Sequence, residues 1–258
     1  MTKVKITCDS TCDLTQEIYS QYDIDVIESY PVSVEDYYEK FSEYTKKGCQ
    51  IVHISISGEL SKNYENACIA SKNLKDVFVV DSKNFSTGAG QLVLLAAELA
   101  NADYSAKGIA EALINYRERL DVSFITDSAD GLHKLGYCSS LTAFLARHFK
   151  SHLEIEIKDG KIRLKGKVKE KSGDPVLDFI RSKLEASKSI NADRIILTHS
   201  GVSEETVSKA KKLISELLPF EEIIDTPAGS VTSEHCGESF LGISFLLKKI
   251  NGQDKVTT

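Results

Sequence analysis

Residues 77–95, VFVVDSKNFSTGAGQLVLL, constrain the fold more than any other stretch of the chain. A short apolar run ends in a turn rich in hydroxyls and glycines, and that turn opens directly onto an apolar helical run. The pattern is that of a strand feeding a helix, and it suits a parallel sheet covered by helices. Gly88 and Gly90 are read as the residues that let the backbone turn, and the first N–H groups of the helix face whatever lies above them. Ser82, Ser86 and Thr87 add side-chain donors, so the loop favours a small anionic head group. A plain capped loop has the same composition, and one such loop by itself does not decide between the two readings.

The pattern recurs. In CQIVHISISGELSKNYENAC (49–68) a strand again runs through a Ser/Gly turn into a helix, with Leu60, Tyr64, Ala67 and Cys68 at helical spacing. In VKITCDSTCDLTQEIYS the theme appears a third time, with Asp13 as the expected N-cap and Gln16 closing a capping box. In a parallel sheet the helix-leading strand ends share one edge, so the three turns can converge on a single crevice.

Strands are expected at about 3–8, 24–34, 50–56 and 77–81, alternating with helices at about 14–22, 35–47, 60–73, 88–101 and 106–119. Gly48 is the expected C-terminal cap of the second helix. Beyond residue 120 the grammar changes. VSFITDS reads as a strand and SSLTAFLARHF as a short helix, and LEIEIKDGKIRLKGKVK reads as two strands joined by the Asp159-Gly160 turn. Two amphipathic helices, DPVLDFIRSKLEASKSI and EETVSKAKKLISELL, bracket a strand at ADRIILTHSG, and ESFLGISFLLKKI reads as a final helix. The expected fold is therefore α/β in two domains. Residues 1–120 form a parallel, Rossmann-like domain and residues 121–258 a mixed or antiparallel α/β domain, with the boundary unmarked by any Pro/Gly-rich linker.

Taken in order, ITCDSTCDL, ISISGELSKNY, VVDSKNFSTGAG, the hairpin with its following KVKEK, THSG and SEHCGESFLG make the chain similar to the DegV family of bacterial fatty-acid-binding proteins. The resemblance runs over nearly the whole chain, and its most specific parts are the DS-x-x-x-S-x-G-x-G element and the N-terminal DSTCDL. It implies a long-chain fatty acid held in a tunnel between the two domains, and a separate fatty acid kinase as partner. It also implies carboxylate-binding roles for Ser86, for His235 late in the chain, for Asn63 where the family carries threonine, and for Lys169 where it carries arginine. Asn63 retains a donor, whereas Lys169 keeps the charge but loses the bidentate fork. LGYCS at 135–139, and Glu238 with Ser239, depart from the family pattern, as does a shortened segment between Tyr38 and Cys49.

Composition narrows the function classes. With 258 residues, 41% hydrophobic, the chain can bury one large or two smaller cores, and its net charge of −6 makes nucleic acid a poor partner. The KGKVKEK segment reads as an exposed edge strand. The six cysteines form no C-x-x-C pair, and Cys8 and Cys12 lack nearby ligand-spaced histidines, so reduced thiols and a cytoplasmic location are expected. The N-terminus enters a strand without a signal-peptide core, and no apolar run is long enough to span a bilayer. Walker, Rossmann-fingerprint and HExxH patterns are absent, so no cofactor is expected beyond a bound fatty acid. The competing reading is a hydrolase or transferase acting on acyl substrates, with Ser86, His235 and one of Asp9, Asp13 or Asp81 as a triad. No G-x-S-x-G elbow presents that serine.

Overall fold

The structure, a computed structural model, describes residues 3–128, 130–134, 152–187, 189–237 and 239–249. The chain divides into two compact units at Arg119/Leu120, with the tip residues Asp159–Lys161 belonging to the first.

The first unit is built on a four-stranded sheet of β1 (Val4–Asp9), β2 (Ile24–Ile27), β3 (Gln50–Ser55) and β4 (Val77–Asp81). Their order is β2-β1-β3-β4, and every neighbouring pair is parallel. Around it lie α1 (Gln16–Gln21), α2 (Val34–Lys46), α3 (Asn63–Ser71), α4 (Thr87–Asn101) and α5 (Ala106–Arg117). A parallel sheet must be covered on both faces. On one side Tyr37 and Phe41 of α2 and Ala67 and Ala70 of α3 pack with Ile27, Val32 and Ile51, while α4 packs over β1 and β3. The first ten residues of α4 are buried all round apart from the position of Leu95, as expected of a helix that is apolar on every side.

Local signals explain the helix limits. Ser33 and Asp36 form a reciprocal capping box at the start of α2. At its end Gly48 adopts φ +78, its N–H donates to Thr45 O at 2.9 Å, and the next N–H donates to Tyr44 O at 3.1 Å. This is the Schellman closure expected of a C′ glycine.

The second unit holds β5 (Leu120–Thr126), β6 (Leu153–Lys158), β7 (Lys161–Lys167), β8 (Ile190–Ser200), β9 (Glu222–Pro227) and β10 (Phe240–Leu247), ordered β7-β6-β5-β10-β8-β9. β10 is antiparallel to both β5 and β8, β5 and β6 are antiparallel, and β8 and β9 are parallel. The helices among the described residues are α6 (Asp130–Lys134), α7 (Pro175–Ala186), α8 (Glu204–Leu217) and α9 (Ser230–Cys236). Phe179, Ile180 and Leu184 of α7 and Ala210, Leu213 and Ile214 of α8 form one core with Ile125, Ile195, Leu197, Leu241, Ile243 and Phe245. The mixed sheet with its helical cover agrees with the expected fold class, and Asp159 and Gly160 turn the β6–β7 hairpin with φ 53 and 80.

Three expectations change. ESFLGISFLLKKI is not a closing helix, because residues 240–247 are β10, inserted between β5 and β8. Residues Phe240–Phe245 are all buried, and a strand buried on both faces loses the two-residue alternation that distinguishes it from a helix. Strand β2 ends at Ile27 instead of continuing to 34. The N-cap of α1 is Thr15, whose side chain accepts from Ile18 N–H, and not Asp13. The expected helix SSLTAFLARHF lies outside the described residues.

Candidate functional site

The three turns anticipated at the carboxyl edge of the first sheet are bonded to one another. After β1 the chain makes a 3-10 turn, Ser10–Cys12, and places Asp13 in the left-handed region (φ 48, ψ 45). Asp9, the last residue of β1, joins this turn to the one after β3, since its Oδ2 accepts from Ser55 Oγ at 2.8 Å and from Ile56 N–H at 2.9 Å. Ser57 N–H donates to Asn84 O at 2.9 Å, linking the turns after β3 and β4. Ser86 Oγ closes the set by donating to Asp13 Oδ2 at 2.5 Å. Parallel strand order alone brings these loops side by side.

Ser86 is fully buried at 0% exposure and holds φ 53, ψ −137 as the residue preceding α4. For a residue with a Cβ this conformation costs on the order of 1–3 kcal/mol, and such strain gathers at ligand sites. Its side chain makes no capping bond to α4. The sharp bend therefore falls on the serine, and Gly88 and Gly90, expected in the turn, lie inside the helix. Gly90 is needed for another reason: a Cβ there would stand 2.6 Å from Cys12 O and 3.0 Å from Leu14 Cδ2. The absent side chain lets α4 sit directly on the 3-10 turn, which brings Ser86 to Asp13. Ser82 serves the loop itself, donating to Asn84 O and accepting from Asn84 N–H, both at 3.1 Å.

Asn63, the first residue of α3, is also fully buried. Its Oδ1 accepts from Val32 N–H at 3.1 Å and from Ser61 Oγ at 3.0 Å. A backbone N–H can only donate, so these contacts fix the amide orientation. Nδ2 then carries two N–H groups that find no partner among the described residues. A buried amide leaves donors unmatched at a cost of about 1–3 kcal/mol, which an acceptor brought by a ligand would remove.

Beneath the turns lies a polar cluster that the sequence reading did not assemble. Tyr37 donates to Asp9 Oδ1 at 2.5 Å, and His53 Nε2 stands 3.4 Å from the same oxygen. The His53 ring is edge-on to both Tyr37 and Phe41, and its Nδ1 is 3.0 Å from Thr7 Oγ1. Burial pushes the Asp9 carboxyl up, but His53, Tyr37 and the Ile56 N–H together outweigh it and hold the group below its ordinary value. Nearby, the Cys8 partner and burial hold the Cys12 thiol well above its usual range, and burial does the same for the Tyr19 phenol.

The other two expected site residues belong to the second unit. His235, on α9, is buried, and its Nδ1 lies 2.7 Å from Val231 O. A carbonyl only accepts, so Nδ1 carries a proton and Nε2 of the neutral ring is an acceptor. Lys169 follows β7 and is exposed. It lines a cavity of about 230 Å³ with Lys167, Lys171 and Arg181. Of the aspartates considered for a triad, Asp81 accepts from Gly58 and Lys83 N–H groups, and Asp9 is occupied as above. Asp13 is the one that meets Ser86. The signal that could have revealed this is the DSTCD segment itself, whose second aspartate is too early to cap α1.

Among the described residues no group of three or more His, Cys, Asp or Glu side chains is placed to hold a metal ion. No helix among them is long and apolar enough to cross a membrane.

Comparison with known proteins points one way. A family model described as "Uncharacterised protein, DegV family" matches residues 25–248. A DegV domain-containing protein of Clostridium acetobutylicum is 28% identical over 96% of this chain and 100% of its own. The fold is similar to that of a DegV family protein from Thermus thermophilus, a structure concerned with its fatty acid binding, with a TM-score of 0.80 at 22% identity over 95% of this chain and 100% of that one. It is also similar to the fatty acid kinase B3 protein of Streptococcus pneumoniae, solved loaded with linoleic acid, with a TM-score of 0.79 at 18% identity over 96% and 100%.

Proposed function

Since the chain belongs to the DegV family, we propose that it is a non-catalytic carrier of a long-chain fatty acid, with Ser86 and Asn63 at the ligand carboxylate. The observation that carries this reading is the Asn63 amide, fully buried with its Nδ2 donors unmatched among the described residues. Such a group is stabilised by an acceptor from outside the protein, and a carboxylate oxygen is a strong one. The strained Ser86, bonded into the same cluster of turns, fits a head-group site. For His235 and Lys169 the same reading proposes roles in head-group recognition, tested by substituting each. The fatty acid binding of the Thermus protein and the kinase association of the Streptococcus protein support a carrier that hands its cargo to a fatty acid kinase.

Energetics divide the labour. Burying roughly 15 methylenes at about 0.8 kcal/mol each contributes on the order of 10 kcal/mol before ordering costs. Hydrogen bonds to a charged head group add about 1.5–3 kcal/mol each. The tail thus supplies most of the affinity, while the polar cluster selects the head and sets its direction. Native mass spectrometry of the protein purified from bacterial cells tests the proposal. A mass increment equal to a fatty acid, released on denaturation in near-stoichiometric amount, is expected, and a ligand-free spectrum with a clean extract would overturn it.

The conformation of Ser86 favours a second reading, an acyl hydrolase, because a strained serine between strand and helix is how such enzymes present a nucleophile. In this chain the hydroxyl donates directly to a carboxylate and not to an imidazole, and a carboxylate is a weak base for making an alkoxide. Ester turnover abolished by Ser86→Ala would restore the enzymatic reading.

A further inference from the structure

Ser55, Ser82 and Ser86 each donate within the joined turns, to Asp9, to Asn84 O and to Asp13. Thr11 does not. It is the middle residue of the 3-10 turn Ser10–Cys12, it is 1% exposed, and its Oγ1 finds no partner among the described residues. A threonine in a helical turn ordinarily directs its hydroxyl to a carbonyl one turn back, so an idle hydroxyl is not what the local backbone dictates. The turn is also held on both sides. Asp9, before it, is bonded to Ser55 and Ile56 of the turn after β3, and Cys12 O, within it, lies 2.6 Å from where a Cβ of Gly90 would stand. A shift of the backbone toward some partner inside the protein is therefore closed to Thr11.

A buried hydroxyl without a partner is costly, and valine fills the same volume without that cost. Thr11 thus stands as Asn63 does, a buried donor without an acceptor. The two belong to neighbouring segments, because the turn after β1 is joined through Asp9 to the turn after β3, which leads into α3 and its first residue, Asn63. A carboxylate accepts at both of its oxygens, and one amide does not occupy them. We infer that Thr11 is a further head-group residue, whose hydroxyl donates to one oxygen of the bound carboxylate beside the Asn63 amide. This rests on the fatty acid reading above. Only hydrogen bonds form, and Oγ1 keeps its proton. The bond exists only in the loaded protein, so Thr11 adds to affinity and not to the stability of the ligand-free chain. A threonine with a structural role would do the reverse.

The test is titration of the delipidated full chain with myristate isotopically labelled at its carboxyl carbon, in the natural protein, Thr11→Val and Thr11→Ser. Calorimetry reads the affinity and NMR the carboxyl resonance. Thr11→Val is expected to bind about tenfold more weakly or worse and to shift that resonance, with a ligand-free unfolding midpoint no lower than that of the natural protein. Thr11→Ser keeps the hydroxyl and is expected to restore both the affinity and the resonance. If Thr11→Val binds myristate as well as the natural protein does, the inference is overturned while the fatty acid reading stands. A loss of affinity with an unmoved resonance, or one that Thr11→Ser does not restore, marks a packing role and overturns it too, as does a lowered midpoint in ligand-free Thr11→Val. If the natural protein does not bind myristate at all, both fall. Should Thr11→Val fail to fold, Thr11→Ala takes its place and its affinity and resonance are read in the same way against Thr11→Ser.

Discussion

The phenol of Tyr37 on α2 donates to Oδ1 of Asp9 at the end of β1, 2.5 Å away and with both residues fully buried. This bond ties the helical layer to the strand whose carboxylate also holds the turn after β3. Removing the phenol leaves a buried carboxylate short of a donor. Tyr37→Phe is expected to lower stability by about 1–3 kcal/mol, read from the urea midpoint, and to leave the unfolding slope unchanged.

The same carboxylate sets an acid limit. Asp9 has its folded value depressed below the ordinary 3.8, so its contribution is fully present above that value and is lost as pH falls through the depressed one. Circular dichroism against pH should place the Asp9-dependent loss below pH 3.8. In Tyr37→Phe that limb should move to higher pH, because one of the bonds depressing the value is gone.

Asn63 allows binding to be separated from folding. Asn63→Asp keeps Oδ1 for Val32 and Ser61 but replaces the unmatched donors with an acceptor that repels a carboxylate. Fatty acid affinity is expected to fall by about 2 kcal/mol or more in a fluorescence or calorimetric titration. Asn63→Ala removes both functions, so it should also destabilise the fold by about 1–3 kcal/mol, leaving Val32 N–H unpaired.

The strain at Ser86 predicts a ranking of two truncations. Glycine is already preferred to alanine at a helix N-cap, and φ 53, ψ −137 adds to the advantage of the residue without a Cβ. Ser86→Gly should be more stable than Ser86→Ala by about 1 kcal/mol in thermal or urea unfolding, although both lose the bond to Asp13 and both bind fatty acid more weakly.

Gly90→Ala is expected to cost about 1–3 kcal/mol, because the new methyl meets a backbone carbonyl, which cannot rotate away like a side chain. Relief of the clash would lift α4 from the 3-10 turn and lengthen the Ser86–Asp13 contact. Weaker ligand binding should therefore accompany the loss of stability.

Much of the first unit was legible from sequence because its signals are local. The alternation of apolar runs with Ser/Gly turns gave a parallel sheet, and Gly48 and the Asp159-Gly160 turn act within a few residues of themselves. What escaped depended on distant partners. Asp13 reads as a cap until α4 delivers Ser86 to it, and Gly88 and Gly90 read as turn residues until the close approach to Cys12 is seen. Tyr37, His53 and Asp9 lie on separate elements with no spacing to connect them. Residues 240–247 show the limit most plainly. Gly242 interrupts an apolar run in a way that either a helix or a strand would tolerate, and only the Phe124 ring, 2.3 Å from where a Cβ would be, explains the glycine.

The place of β10 between β5 and β8 has a consequence for how the chain comes into being on the ribosome. Residues 120–126 emerge early but must wait for 240–247, more than a hundred residues later, before their sheet can be completed. The four parallel strands of the first unit are all synthesised by residue 81 and carry no such delay. During the interval the nascent second half exposes unfinished strand edges, the condition in which a chain depends most on holding chaperones.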